Sequence, residues 1–435
     1  MDSKKILEIK EKLNNISPTF CTLPWLHSSI YMHNGTTHSC CHPPLHSINI
    51  KELEQNPSSL HNTKRKKVLR NDILSGIQNS DCDFCWNIEN DGKISDRILW
   101  NGTRYAYENI EHISTVDPHK DINPKYLILS FGNTCNLRCG YCSPTFSSKW
   151  TDEIIEHGNY DIIENGHYEN IHHTYEDDNP FVEAFWKWWP ALKDDLYTLK
   201  ITGGEPFLNN RTIKLFSLFD DNPAPNLIIS INTNFNVSTK RMIKFFTQVT
   251  RLKKESKIKD FTLFASLDTW GEPAEYIRQN LDLHLWEKNF LEAINFGIQT
   301  NIIMTVNILS ITSMKKLLQK IVQWRKYYYF DCVRFNAPIL DSPRFWSIKN
   351  LTDDFNFYIT DIINYVYDNK DMFRDDELEI INRLKDVKFE NNGISNKDFY
   401  NFIQESDKRT KNNFLLIFPE YTDYFNMCKV AYDSP

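Results

Sequence analysis

The chain has 435 residues, 41% hydrophobic and 14% aromatic, enough for a barrel-sized core with one or two smaller domains. Charged residues make up 25% and the formal net charge is −7, which argues against electrostatic nucleic-acid binding as the main activity. No apolar run reaches the length that spans a bilayer, so no membrane partner is expected.

The opening residues are charged and amphipathic, with no apolar core of a secretory signal. Ten cysteines in a chain of this length suit a reducing compartment better than a disulfide framework, and a cytoplasmic, oxygen-sensitive protein is expected. The first cysteine set begins at Phe20-Cys-Thr-Leu-Pro-Trp25. Thirteen residues separate Cys21 from Gly35, four more lead to Cys40, and Cys82 and Cys85 close the set as a C-x2-C pair. Four thiolates complete the shell of one metal centre, so this site is expected to be closed to substrate. A zinc ion and an iron-sulfur cluster both fit such a set. Cys41 reads as a spare buried thiol or a substitute for Cys40, and Cys332 and Cys428 as core residues. The basic run at residues 64–67 reads as a solvated helix face.

An apolar β-patterned stretch at 126–131 leads directly into Asn133-Thr-Cys-Asn-Leu-Arg-Cys-Gly-Tyr-Cys142. Cys135, Cys139 and Cys142 thus sit in C-x3-C-x2-C spacing on a loop at the carboxyl end of a strand, where α/β barrels carry active sites. Three protein ligands leave one metal position open for a ligand or substrate. A long connection at 144–195 follows, with His157, His167, His172 and His173 scattered among acidic residues in no metal-ligand spacing, then a Trp-rich helix expected to be core. A second strand pattern at 196–201 ends in Thr202-Gly-Gly-Glu-Pro-Phe-Leu208. Its glycines are expected to let backbone approach a ligand, and Glu205 offers a carboxylate to an ammonium group. Further strands are expected at 227–234, 261–268, 300–307 and 332–338. Asn234, Ser266, Asp268, Val306 and Asn307 lie at their ends, and Arg278 lies at the start of a helix after the turn at Gly271.

The ordered combination of the cysteine triad, Gly203-Gly204-Glu205-Pro206 and these strand ends resembles the radical S-adenosylmethionine (SAM) enzymes. The resemblance implies a four-iron, four-sulfur cluster on Cys135, Cys139 and Cys142, with SAM chelating the fourth iron. Tyr141 would lie near the adenine, the 203–206 segment would hold the methionine amino group, and Arg278 would pair with its carboxylate. Asn234 and Ser266 would serve the ribose or carboxylate, Asp268 would face the barrel mouth, and Val306 and Asn307 would touch the adenosine. The N-terminal cysteine pattern resembles the twitch domain, a shortened SPASM domain, and implies a second, auxiliary four-iron, four-sulfur cluster on Cys21, Cys40, Cys82 and Cys85. Here it precedes the barrel, whereas in the best-known members it follows.

The expected architecture is α/β: a twitch-like domain at 1–110, a partial (β/α)6 TIM-type barrel at 120–340 and a mostly helical extension at 341–435. The implied activity is an oxidoreductase reaction in which SAM is cleaved reductively to a 5′-deoxyadenosyl radical that takes hydrogen from a substrate carbon. The auxiliary cluster would take up an electron, and a flavodoxin or ferredoxin would serve as reductant. A peptide or protein side chain is the first substrate class, and a small molecule such as a sugar or cyclitol, dehydrogenated or rearranged, is the alternative. A non-catalytic metal scaffold is the third reading, disfavoured by the intact 203–206 motif. No residue is singled out as catalytic acid or base.

Overall fold

The computed structural model describes residues 3–163, 167–168 and 178–434. Strands form at all six expected places: β4 (Tyr126–Ser130), β6 (Thr198–Thr202), β7 (Ala224–Thr233), β8 (Ile258–Ser266), β10 (Gln299–Ile303) and β11 (Arg334–Asn336). They pair in parallel in that order, consecutive strands lying side by side with helical crossovers between them. The fold is therefore α/β with a mostly parallel sheet.

The N-terminal segment supplies the remaining strands of the same sheet. β1 (His27–Tyr31) lies parallel to β4, with Ser29 opposite Ile128. β2 (Thr36–His38) and β3 (His46–Ser47) continue from it antiparallel, giving nine strands in the order β11-β10-β8-β7-β6-β4-β1-β2-β3. Gly35 makes the β1–β2 turn at φ +66°, and a Cβ there would fall 2.1 Å from the Phe181 ring. The glycine of the N-terminal pattern thus serves a tight turn and a docked aromatic ring.

Strand alternation separates the two faces. Leu127, Leu129, Leu199, Ile201, Ile229, Ile231 and Leu263 are fully buried on one. The opposite face carries Ile128, Lys200, Asn232, Phe264 and Asn301, all half-buried. Parallel sheets are ordinarily covered on both sides, and this mixed, half-buried face departs from that. Lys200 stands on it with its ammonium 4.8 Å from the Phe264 ring centre.

The Trp-rich helix Pro180–Leu192 buries Phe181, Phe185, Trp188 and Trp189, as expected of a core element. A second core gathers around Cys21 from Ile9, Leu13, Phe20, Trp25, Leu69, Ile73 and Ile98. Beyond β11 the chain is mostly helical. Trp346 and Phe402 from this region join Trp150, Tyr160 and Tyr168 in one aromatic cluster beside the cysteine-triad loop. No helix among the described residues is long and apolar enough to cross a membrane.

Candidate active site and second cysteine centre

Cys135, Cys139 and Cys142 lie on the loop leaving β4, half-buried. Burial pushes the Cys139 thiol up to about 12 and the Cys142 thiol up as well, with Cys135 raising both and Cys139 also raising Cys142. Thiols crowded this way ionise readily only with a cation between them. The loop is anchored by two-residue strands, β5 (Arg138–Cys139) against β9 (Arg278–Gln279), with Cys139 opposite Arg278. The expectation that Arg278 opens a helix is corrected here: the helix Glu272–Ile277 ends at its neighbour, and Arg278 is held extended by pairing to the cysteine loop.

Arg278 is 5% exposed. Its Nη2 donates to Asp268 Oδ1 at 2.8 Å and to the Tyr141 hydroxyl at 2.6 Å, while Nη1 lies 3.5 Å from Cys139 Sγ. The Tyr141 hydroxyl donates in turn to both Asp268 oxygens at 3.0 Å. Nε of Arg278 is buried without a hydrogen-bond partner among the described residues, a donor ready for an anionic group. Asp268 is thus the counter-ion that holds Arg278 beside the thiols, a partnership its position at a strand end did not reveal.

Glu205 is 1% exposed and accepts from Asn234 N at 2.6 Å, Phe207 N at 3.0 Å and the Thr233 hydroxyl at 3.0 Å. Burial nonetheless pushes its carboxyl up to about 7, the signature of a carboxylate that lacks a cation. Asn234 links this cradle to the triad, its Nδ2 lying 3.8 Å from Cys135 Sγ and 2.9 Å from Asn136 Oδ1. The expected role of the glycines is refined. A Cβ on Gly203 would meet Ser130 Oγ at 2.0 Å, and one on Gly204 would meet Thr134 O at 2.1 Å. Both glycines therefore let the 203–205 backbone close onto the cysteine loop itself, where Glu205 N donates to Thr134 O at 2.7 Å. Pro206 opens the buried turn Pro206–Leu208 that Glu205 caps.

Ser266 ends β8 on the half-open face. Val306 is fully buried and bridges to Ile339. Asn307 is fully buried, its Oδ1 accepts from Leu309 N and Ser310 N at 3.0 Å, and its Nδ2 donates to Thr305 O at 3.0 Å. Its amide is thus bonded within its own turn. Sequence reasoning missed Thr233 and Trp346. The latter fills the space where a Cβ on Gly140 would stand, packing the triad loop from the C-terminal region. His167 reaches the Tyr141 carbonyl at 3.0 Å; His172 and His173 lie outside the described residues.

At the N-terminal centre, Cys21, Cys40, Cys82 and Cys85 line one cavity with Leu69, Trp86 and Trp100. Burial raises each thiol, and each is raised further by at least one other of the four or raises another. Four converging thiols in an apolar pocket fit a closed tetrathiolate metal centre. Cys41 is corrected from a spare buried thiol: it is exposed and 3.5 Å from His42 Nε2, which is 2.7 Å from Asp96. Cys40 is thus the member of the pair that faces the cavity. Cys332 and Cys428 are core residues as expected. A chain of ring contacts, Phe146 to Tyr31 at 5.8 Å and Tyr31 to His38 at 5.9 Å, joins the segment after the triad to the strand before Cys40.

No family model matches this chain. It is 26% identical over 178 residues to the GTP 3′,8-cyclase of Campylobacter curvus, covering 41% of this chain and 45% of that protein. It is 25% identical over 202 residues to the GTP 3′,8-cyclase of Sulfurimonas denitrificans, covering 46% and 51%. The chain spans about half the length of these curated relatives. Among solved structures, anSMEcpe with bound AdoMet aligns at a TM-score of 0.37 and 16% identity, over 57% of this chain and 61% of that one. Streptococcus suis SuiB bound to S-adenosylmethionine aligns at 0.36 and 14%, over 79% and 68%. Structural likeness at this level is too slight to support an argument.

Proposed function

We propose that this chain is a radical SAM enzyme that abstracts hydrogen from a carbon of its substrate. The two curated relatives support the superfamily at the coarse level. The observation that carries the reading is the convergence of two recognition devices on the three thiols: the Glu205–Thr233–Asn234 cradle reaching Cys135, and the Asp268–Tyr141–Arg278 triad reaching Cys139. An amino acid moiety needs a carboxylate for its ammonium and a cation for its carboxylate, and Glu205 and Arg278 supply that pair.

Cys135, Cys139 and Cys142 would hold the site-differentiated cluster, which supplies one-electron reduction of the sulfonium when bound. This chain's own part is to hold and orient. Gly203 and Gly204 draw Glu205 onto the cysteine loop and Asp268 aims Arg278; Tyr141 would serve the adenine, and Ser266 and Asn234 the ribose or carboxylate. The half-open polar face of the sheet, with Lys200, Asn232 and Asn301, would receive the substrate beneath these loops. We read the sheet as a partial barrel around that face, and the N-terminal centre as a twitch-like auxiliary cluster that exchanges an electron with the reaction.

The relatives' name, a nucleotide cyclase, favours rearrangement of a small molecule over modification of a peptide side chain as the substrate class, with a flavodoxin or ferredoxin as reductant. Anaerobic reconstitution followed by iron analysis is expected to give about twice the content of one cubane. Reduced protein with SAM is expected to release 5′-deoxyadenosine, and none over many hours would sink the proposal.

The Glu205 carboxyl adds a pH dependence. Its folded value near 7 lies above the ordinary carboxylate range, so the folded protein retains the proton at mildly acid pH and the carboxylate an ammonium needs forms only as pH rises through about 7. SAM is expected to bind the reconstituted protein about tenfold more weakly at pH 6 than at pH 8, measured by equilibrium titration. Glu205→Gln should flatten that dependence.

A further inference from the structure

The basic run at 64–67 is only in part the solvated face its composition implies: Lys64 and Arg65 are exposed, and Lys66 is not. The helix Lys64–Leu74 turns Lys66, Leu69, Arg70 and Ile73 inward. Lys66 is 1% exposed and Arg70 is fully buried. The Lys66 ammonium donates to the hydroxyls of Ser28 and Thr37, each at 2.9 Å, and lies 3.5 Å from His61 Nδ1. Arg70 donates to the carbonyls of Pro24 at 3.1 Å and Lys120 at 3.3 Å and to Asn62 Oδ1 at 3.0 Å, and faces His61 Nε2 at 3.2 Å. No carboxylate among the described residues makes an ion pair with either. Asp121 acts on Arg70 from farther off and is itself paired with Lys67 at 2.6 Å.

A buried ion costs several kcal/mol unless an opposite charge lies near. Two basic groups one helical turn apart, sealed from water and served only by neutral oxygens and an imidazole, are half of a charge arrangement. The other half is adjacent. Leu69, between them on the same helix, lines the four-cysteine cavity, and Thr37, whose hydroxyl holds Lys66 Nζ, lies on the strand that runs into the cavity-lining Cys40; burial, with Arg70 beside it, holds the Lys66 ammonium well below its ordinary value. A tetrathiolate zinc ion and a tetrathiolate four-iron cubane are both dianions, so either creates the missing anion as it loads.

We infer that Lys66, backed by Arg70, is the built-in counter-charge of a dianionic metal centre on Cys21, Cys40, Cys82 and Cys85: a positioning residue that governs how tightly the metal is kept without ligating it. The inference rests on reading those four cysteines as a metal centre. It makes Lys66 a liability in the empty protein and an asset in the loaded one, a split that an ordinary core hydrogen-bonding lysine would not produce.

The test uses the full chain with Lys66→Met, Lys66→Arg and wild type, each metal-free and reconstituted. Metal-free Lys66→Met is expected to melt at or above the wild-type temperature. Reconstituted Lys66→Met is expected to lose its N-terminal metal to a chelator at least about tenfold faster than wild type, with Lys66→Arg restoring retention. The triad cluster, followed in a Cys82→Ala background, should be unaffected by Lys66→Met. Where the N-terminal centre is an iron cluster, its midpoint potential should shift negative in Lys66→Met, since the added electron loses a nearby cation. A metal-free variant that melts below wild type while metal loss is unchanged would overturn the inference. A wild-type protein that takes up no metal on the four cysteines would overturn the underlying reading, and the wild-type metal count distinguishes the two failures.

Discussion

Cys139→Ala is expected to abolish 5′-deoxyadenosine formation and to remove roughly half of the bound iron, while the N-terminal centre stays loaded. Cys139 is held on both sides: its backbone is paired to Arg278 across β5 and β9, and its sulfur lies 3.5 Å from that guanidinium. Replacing the thiol removes one of three protein ligands from a site with no spare. The pairing of β5 to β9 and the Trp150 Nε1 bond to the Cys139 carbonyl, 3.0 Å, do not involve the side chain, so the loop should keep its place and the fold its stability. The reciprocal variant, Cys82→Ala, should lose the N-terminal centre and keep the triad cluster. Both are read from iron content and electron paramagnetic resonance of reduced samples, with product by chromatography. Loss of both centres in either single variant would mean the two cysteine sets are not independent.

The second large effect is structural. Glu377→Ala is expected to destabilise the protein by about 3–5 kcal/mol, seen as a lower denaturant midpoint. Arg325 and Glu377 form a bidentate pair at 2.9 and 2.6 Å, with side chains 0% and 1% exposed. Glu377 also accepts from Phe335 N in β11 at 3.3 Å and from Arg374 N at 3.0 Å, while Arg325 donates to the Val333 carbonyl at 2.9 Å. The pair thus fastens the first part of the C-terminal region to the edge strand of the sheet. Truncation leaves a guanidinium sealed from water and one strand donor unserved. The double variant Arg325→Met/Glu377→Leu removes both charges and should recover most of the loss. A single variant costing under about 1 kcal/mol would show that Arg325 finds another anion.

The two centres also divide the protein's dependence on its chemistry. The triad site is built around a carboxylate and a guanidinium that both lack a full complement of partners, Glu205 with a carboxyl near 7 and Arg278 with a buried free Nε. Such groups are costly to keep unless a ligand satisfies them. The N-terminal site is built around four thiols instead, in a cavity that Leu69, Trp86 and Trp100 also line.

What the linear order of residues determined was everything governed by short-range geometry. Six strands were legible because alternation of apolar side chains is a local signal, and the grouping of Cys135, Cys139 and Cys142 because spacing on a single loop depends on a few consecutive dihedrals. The Gly203-Gly204-Glu205 segment was visible for the same reason. What only the tertiary structure decided was each contact between segments far apart in the chain. The choice of Cys40 over Cys41 turned on which sulfur faces residues forty positions later. The role of the glycines turned on the loop at 132–134 that they close upon. The hydrogen bonds of the Asn307 amide to its own turn were likewise visible only in three dimensions. Lys66 is the plainest case: four basic residues in a row look the same whether water or a protein interior surrounds the third, and burial is set by packing partners that no local pattern encodes.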